Sequence, residues 1–310
     1  MATNKISRVL DAIITGEQID QTTVAGNFNV DVFGVITQGQ VNLLDNLRVV
    51  NGLTGDHLPN KIVTLSHKPT GSLSFLPQGL HFFKYFGGDY SESIGTYTID
   101  NAVPTLPTPL TLRGNINESE AIQLIGCYLN NCRLSLSDED ILNVNADIVG
   151  ISPSVVSASI SYTPPTDDPL IFCGGVFTIG GVEWDLQSIN FVIDPRFIQK
   201  YGIRTSVSGE KRLPSQIIRG GKNVISFDGV VNITSDSTNQ LEDVWGGSTP
   251  PDEPTDVTLV LEFTQGGKSH TLTVVGKTSQ NGLNYVDSEE NSKTMSFNGN
   301  GKSWTVSGDL

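Results

Sequence analysis

The chain has 310 residues, 37% of them hydrophobic, with a formal net charge of −14 and a pI near 4.6. That length suits two domains of ordinary size, each able to bury a core. No run approaches the roughly 20 apolar residues a spanning helix needs, and so large an acid excess excludes a bulk surface that coats nucleic acid, since phosphate affinity comes from Lys and Arg.

The opening Met1-Ala2-Thr3-Asn4-Lys5-Ile6-Ser7-Arg8 leads into no apolar stretch of secretory length. The chain is therefore expected to be used in the cytoplasm or to leave the cell by lysis. Further on, Leu76, Leu80 and Phe83 form a helical stripe, with Pro77 placed to start the helix and Gly87-Gly88 to stop it. Pro104, Pro107 and Pro109 mark a loop. Asp138-Glu139-Asp140 lacks the spacing of a calcium loop and reads as a hairpin tip. Val144, Ala146 and Ile148 then alternate with Asn143, Asn145 and Asp147, the period of a strand with one apolar face. Ser-rich sequence from Ile151 to Tyr162 runs into Pro164-Pro165-Thr166-Asp167-Asp168-Pro169, which cannot pair centrally in a sheet. A domain boundary is expected there.

Beyond it, Ile189, Phe191 and Ile193 alternate with polar neighbours, as do Leu259, Leu261 and Phe263. Ile225, Phe227, Val231 and Ile233 share a face, and Gly229 between them is expected to be a bulge. Residues 195–222 carry Arg196, Lys200, Arg204, Lys211, Arg212, Arg219 and Lys222 against Glu210 alone, a local +6 that leaves −20 elsewhere. Either this is a solvated basic loop or it is a surface for an unlike partner, such as the acidic body of another copy. Ser237-Thr238-Asn239-Gln240 reads as a capping box ahead of Leu241, Val244 and Trp245, with Gly246-Gly247 as the stop. Pro250-Pro251-Asp252-Glu253-Pro254 repeats the earlier proline loop.

These elements recur. Leu58–Val63 parallels Leu213–Ile218, and Ser72–Phe75 parallels Val224–Phe227. Tyr85–Gly88 parallels Val244–Gly247, Leu110–Leu112 parallels Val257–Leu259, and Ile122–Gly126 parallels Leu272–Gly276. Five matches in one order, at offsets of about half the chain, predict a tandem duplication. The expected fold is all-β with minor α: two duplicated β-sandwich or β-barrel domains, each flanked by one short helix. The expected division is an N-terminal segment 1–19, a first domain 20–160, a Pro-rich linker 161–170 and a second domain 171–310.

Catalytic patterns are missing. His57, His67, His81 and His270 have no metal-ligand spacing. Arg219-Gly220-Gly221-Lys222 lacks the spacing of a phosphate loop and reads as a turn between strands. Ser206 and Ser208 sit in no nucleophile elbow. Cys127, Cys132 and Cys173 make no disulfide framework, and the expectation is free, buried thiols. No enzyme activity, no metal and no cofactor are expected.

The run Gly126-Cys127-Tyr128-Leu129-Asn130-Asn131-Cys132-Arg133-Leu134-Ser135-Leu136, followed by the alternating strand Ile141 to Gly150, resembles the tail tube proteins of long-tailed bacteriophages. The likeness continues through Ser188–Asp194, Arg212–Ile217 and Gly221–Gly229, covering most of residues 110–235. Members of that family build β-barrels or sandwiches flanked by a helix, and their rings stack into a tube. The resemblance implies a structural virion protein, assembled in the host cytoplasm, with itself as principal partner. A duplicated subunit would form trimeric, pseudo-hexameric rings, and a net acidic lumen, expected from the −20 balance outside the basic segment, would pass viral DNA without binding it. Tape-measure, terminator and baseplate proteins are the further partners it implies, with no membrane. In that setting Arg196, Phe197, Lys200, Tyr201, Arg204, Lys211 and Arg212 are the expected ring-to-ring contacts. The alternatives are another ring-forming tail component (terminator, baseplate hub or secretion-type tube) or a carbohydrate-binding β-sandwich. The last wants clustered exposed aromatics, and Trp184, Trp245 and Trp304 are far apart in sequence.

Overall fold

The computed structural model describes residues 7–9, 13–26, 28, 33–50, 61–101, 106–116, 119–137, 140–156, 166–171, 175–202, 213–233, 256–280 and 293–310. The protein is mostly β, built from large antiparallel sheets, with one short helix among the described residues. The first strands are β1 (Ser7–Val9), β2 (Ile13–Glu17), β3 (Val35–Val50), β4 (Lys61–Leu76), β5 (Asp89–Ser93) and β6 (Thr96–Asp100). Then come β7 (Leu110–Asn115), β8 (Ala121–Ser137), β9 (Asn143–Val149) and β10 (Ser152–Val156). Across the proline-rich joint follow β11 (Gly175–Ile179), β12 (Val182–Glu183), β13 (Asp185–Asp194), β14 (Phe197–Lys200) and β15 (Gln216–Arg219). The chain closes with β16 (Val224–Ile233), β17 (Val257–Gln265), β18 (Lys268–Gln280) and β19 (Lys293–Asp309).

The two halves share a strand order. In the first, neighbours run β3-β4-β9-β8-β7-β2. In the second they run β13-β16-β19-β18-β17-β11. Each strand has its counterpart at the same place in the chain. The β14–β15 ribbon prolongs the β13–β16 pair as the outer parts of β3 and β4 prolong theirs. Leu112 faces Leu124 as Leu259 faces Val274.

Register corrects one of the sequence matches. The β3–β4 pair slips between Ile36 and Gln38, opposite Phe75 and Ser74, and the β13–β16 pair slips between Leu186 and Ser188, opposite Val231 and Val230. Aligning those bulges sets Ser72 against Asp228, four residues past the Val224 that the sequence suggested. Ser-x-Phe is a common strand pattern, so sequence alone slides along it. Gly229 is also not a bulge: the irregularity lies opposite, at Gln187, and a Cβ on Gly229 would stand 2.6 Å from the Phe297 ring. The glycine makes room for that ring.

The halves are joined by strand pairing. β8 runs 17 residues and serves two sheets. Its first part pairs with β7 and β10, and Cys132–Ser137 pairs with β13. Gly126 (φ 65°) and Asn131 (φ 43°) bend it between the two, in the left-handed region those residue types tolerate best. The end of β19, Thr305–Asp309, returns to pair with β6. A single apolar cluster follows, with Phe75, Phe83 and Ile148 of one half and Phe191, Phe227 and Trp304 of the other. Phe83 and Trp304 meet at 5.2 Å between ring centroids. The sheets begin earlier than the expected domain start, because β2 pairs with β7. The end of the expected linker is anchored: Leu170 is buried and bonded to Pro77 and Leu142.

The helix is a 3-10 turn, His81–Phe86, closed by Gly87 at φ 88°. Gly87 stops it as expected, but it begins four residues after Pro77, and Leu76 belongs to β4. Phe82, Phe83, Tyr85 and Phe86 are buried on two adjacent rows of the turn, and half-buried His81 and Lys84 form the third. Aromatic residues are only moderate helix formers, and here the packing of the buried rows replaces propensity. The expected second helix, Ser237 to Trp245, lies outside the described residues.

Candidate assembly interface

Seven adjacent strands carry one polar face. On β3 it shows Gln38 and Gln40, on β4 Ser72 and Ser74, and on β9 Asn143, Asn145 and Asp147. It continues with Arg133, Ser135 and Ser137 on β8, Ser188 and Asn190 on β13, Ser226 and Asp228 on β16, and Ser296, Asn298 and Asn300 on β19. The alternate residues of these strands form the core. Most of this face is amide or hydroxyl, and neighbours satisfy one another. Ser74 donates to Asn145 at 2.6 Å, Asn131 to Asp147 at 2.8 Å and Asn190 to Asp228 at 2.9 Å. Among the described residues its charges nearly cancel: Asp147, Asp185, Asp194 and Asp228 stand against Lys68 and Arg133, with Lys277 on the adjoining β18. The −20 balance inferred outside the basic segment is therefore not concentrated on this face.

The basic segment forms a ribbon, β14 paired with β15. Its base is clamped to the first half by side-chain amides that imitate a backbone. Asn130 accepts from the Phe197 N–H at 3.2 Å and donates to the Phe197 carbonyl at 3.3 Å. Gln21 does the same for Ile217, at 2.8 and 2.9 Å. Gln199 donates to the Pro69 and Gly150 carbonyls, and the Tyr201 hydroxyl to that of His67. Beneath lies a small separate core of Tyr128, Ile151, Phe197 and Ile217.

The expected contact residues thus divide. Phe197 is 2% exposed and holds the ribbon to its own subunit. Arg196, Lys200 and Tyr201 face solvent. Arg204, Lys211 and Arg212 lie outside the described residues. Arg219-Gly220-Gly221-Lys222 is the turn from β15 to β16, as its sequence suggested.

Sequence reading missed a polar cluster where the halves meet. His81, Tyr97 and His270 come together beside a cleft of about 380 Å³ that also touches Lys84, Tyr90, Asp167, Lys268 and Asp309. His81 stacks on Tyr97 with centroids 3.8 Å apart, and the Tyr97 hydroxyl lies 3.1 Å from His270 Nδ1 while accepting the Leu80 N–H. Burial, with the positive charges of His270, Lys84 and Lys268, holds His81 down at about 4. Burial lowers His270 too, although Asp309 opposes the shift. Burial would raise the Glu17 carboxyl, but hydrogen bonds from Lys84 and Tyr85 leave it below its ordinary range. The two histidines are 189 residues apart in sequence, so no local spacing could have joined them.

Cys127 and Cys132 are buried free thiols, as expected, and burial pushes Cys127 up to about 12. Thiols held protonated this firmly are poor nucleophiles. Cys173 lies outside the described residues. Among the described residues no three His, Cys, Asp or Glu side chains gather as a metal site would require. No protein-family model matches this chain, and no curated protein does.

Proposed function

We propose that this chain is a structural subunit of a tail-tube type, whose two like-ordered units stand for two positions of a ring. The units arose by tandem duplication, so three chains close a pseudo-hexameric ring and rings stack into a hollow tube that conducts a nucleic acid. The observation that carries this reading is the joint between β8 and β13. It links two units of one strand order head to tail, and a head-to-tail contact repeated around an axis closes a ring. The polar face supports it as well. Amides and hydroxyls that satisfy one another, with nearly balanced charge, give a passing polyanion little to grip. The exposed basic residues of the ribbon are suited to meet the acid excess of the next ring. Against a carbohydrate-binding module stand Trp184 and Trp304, both buried.

Negative-stain microscopy of the purified chain across a concentration series tests the reading. Tubes, or rings of three chains, are the expected outcome. Rings that never stack would favour a terminator or hub instead. A chain that stays monomeric at every concentration and salt would overturn the proposal.

A further inference from the structure

One strand in the molecule stands where a neighbour would. Aligned on their shared bulge, β13 residues Ser188–Ile193 correspond to β3 residues Gln38–Leu43. In the second unit that stretch of β13 is paired, on the side away from β16, by β8 of the first unit. In the first unit the same stretch of β3 is paired, on the side away from β4, by β1, through Ser7↔Asn42, Arg8↔Val41 and Val9↔Gln40. Both pairings are antiparallel and both fall in the same window after the bulge. β1 is only three residues long, whereas β8 covers six positions of β13. The short strand thus fills part of a longer seat. Along β18, the counterpart of β8, the pairing with β17 ends at Gly276, as the pairing of β7 along β8 ends at Cys127.

We propose that the β3 edge is the docking seat for a second copy of this chain, and that β1 is a strap that occupies the seat until the neighbour displaces it. The inference rests on the ring reading above and adds its regulation. An uncovered edge invites uncontrolled pairing, and a short removable strand is a cheap guard against it. β-strand addition supplies the incoming contact, with main-chain hydrogen bonds giving affinity and the alternating side chains giving register. A strap held by a few backbone hydrogen bonds of modest net value costs the incoming strand roughly tenfold in affinity.

Two variants test this. The first deletes residues 1–12, removing β1 and leaving β2 intact. The second, Ser7→Cys with Asn42→Cys, locks the strap to the seat, because directly opposed strand positions lie within disulfide reach. Assembly is followed by light scattering and sedimentation, with the intramolecular crosslink verified by mass. The expected result is a critical concentration lowered roughly tenfold in the deletion. The oxidised lock should abolish assembly, and reductant should restore it. Wild-type assembly with an oxidised lock that assembles equally well would overturn the strap while leaving the ring reading in place. So would a folded deletion variant that assembles more weakly than wild type. If neither wild type nor deletion assembles under any condition, the ring reading falls and this inference falls with it.

Discussion

At the scale of single residues, local chemistry and observed geometry disagree at two places, and each disagreement is measurable. Ile94 and Gly95 form the two-residue tip between β5 and β6, with φ of 45° and 77°. A hairpin tip of this kind favours Asn-Gly, while a β-branched residue is strained at positive φ. Ile94 is also fully exposed, so packing offsets none of that strain. Ile94→Asn is expected to stabilise the subunit by about 1 kcal/mol, seen as a higher urea midpoint with an unchanged slope. An unchanged or lower midpoint would mean the tip is relaxed by contacts the isolated subunit does not reveal. The second place is the His81–Tyr97–His270 cluster. Folding holds His81 neutral down to about pH 4, whereas the unfolded imidazole charges near 6.5. The unfolded chain therefore binds more protons below 6.5. This contribution to stability is whole above about pH 6.5 and drains as pH falls toward 4. Allowing for the solvent that still reaches the ring, the loss is about 2 kcal/mol. Carboxylates also titrate in that range, so the measurement is a comparison: melting curves at pH 7.5 and 4.5 for wild type and His81→Phe. The variant should lose distinctly less stability on acidification, and an equal loss in both proteins would refute the assignment.

At the scale of elements, the ribbon has a folding role that is separable from the assembly role proposed for it. Phe197 fills the small core under it, so Phe197→Ala should cost about 3 kcal/mol or more of local or global stability and loosen hydrogen exchange at Ile217 and Asn130. Arg196, Lys200 and Arg204 carry the assembly role proposed above. Changing all three to Glu is expected to leave the melting temperature within a few degrees of wild type while stacking of rings is lost. Tubes formed normally by a folded triple variant would move the ring-to-ring contact elsewhere. This division also marks how far the sequence could be read. Strict alternation in β9, β13 and β17 was legible because each has one buried face, and Val144, Phe191 and Leu261 all lie in the core. The pairing of the two described ends of 195–222 was legible from the segment's length and its buried-type residues. That Phe197 turns inward was not, because its pocket comes from Tyr128 and Ile151, distant in the chain. The bulge at Gln187 was invisible for a similar reason: a slip between strands belongs to the pair, not to either sequence. The short helix was misplaced because Leu76, Leu80 and Phe83 have helical spacing by coincidence: Leu76 ends β4, and the turn starts only at His81.

At the scale of the whole molecule, shared strand order suggests two separable units, while the packing indicates one. β8 donates its second part to the sheet of the other half, and the end of β19 pairs back onto β6. Trp304 packs on Phe83, and His270 sits beside Tyr97, so removing either half strips the other of core contacts as well as strand partners. Independent domains in one chain usually meet through a modest, fairly polar contact. Here a single apolar cluster passes through both. Thermal unfolding monitored by calorimetry should accordingly give one transition, with calorimetric and van't Hoff enthalpies in agreement. Trp304→Ala should lower that single transition as a whole, by the equivalent of about 3–5 kcal/mol, and not split off a low-melting half. Two resolved transitions in wild type, or a variant in which only one part melts early, would show that the halves fold independently. The joint between β8 and β13 would then be too weak a contact to serve as the template for a ring.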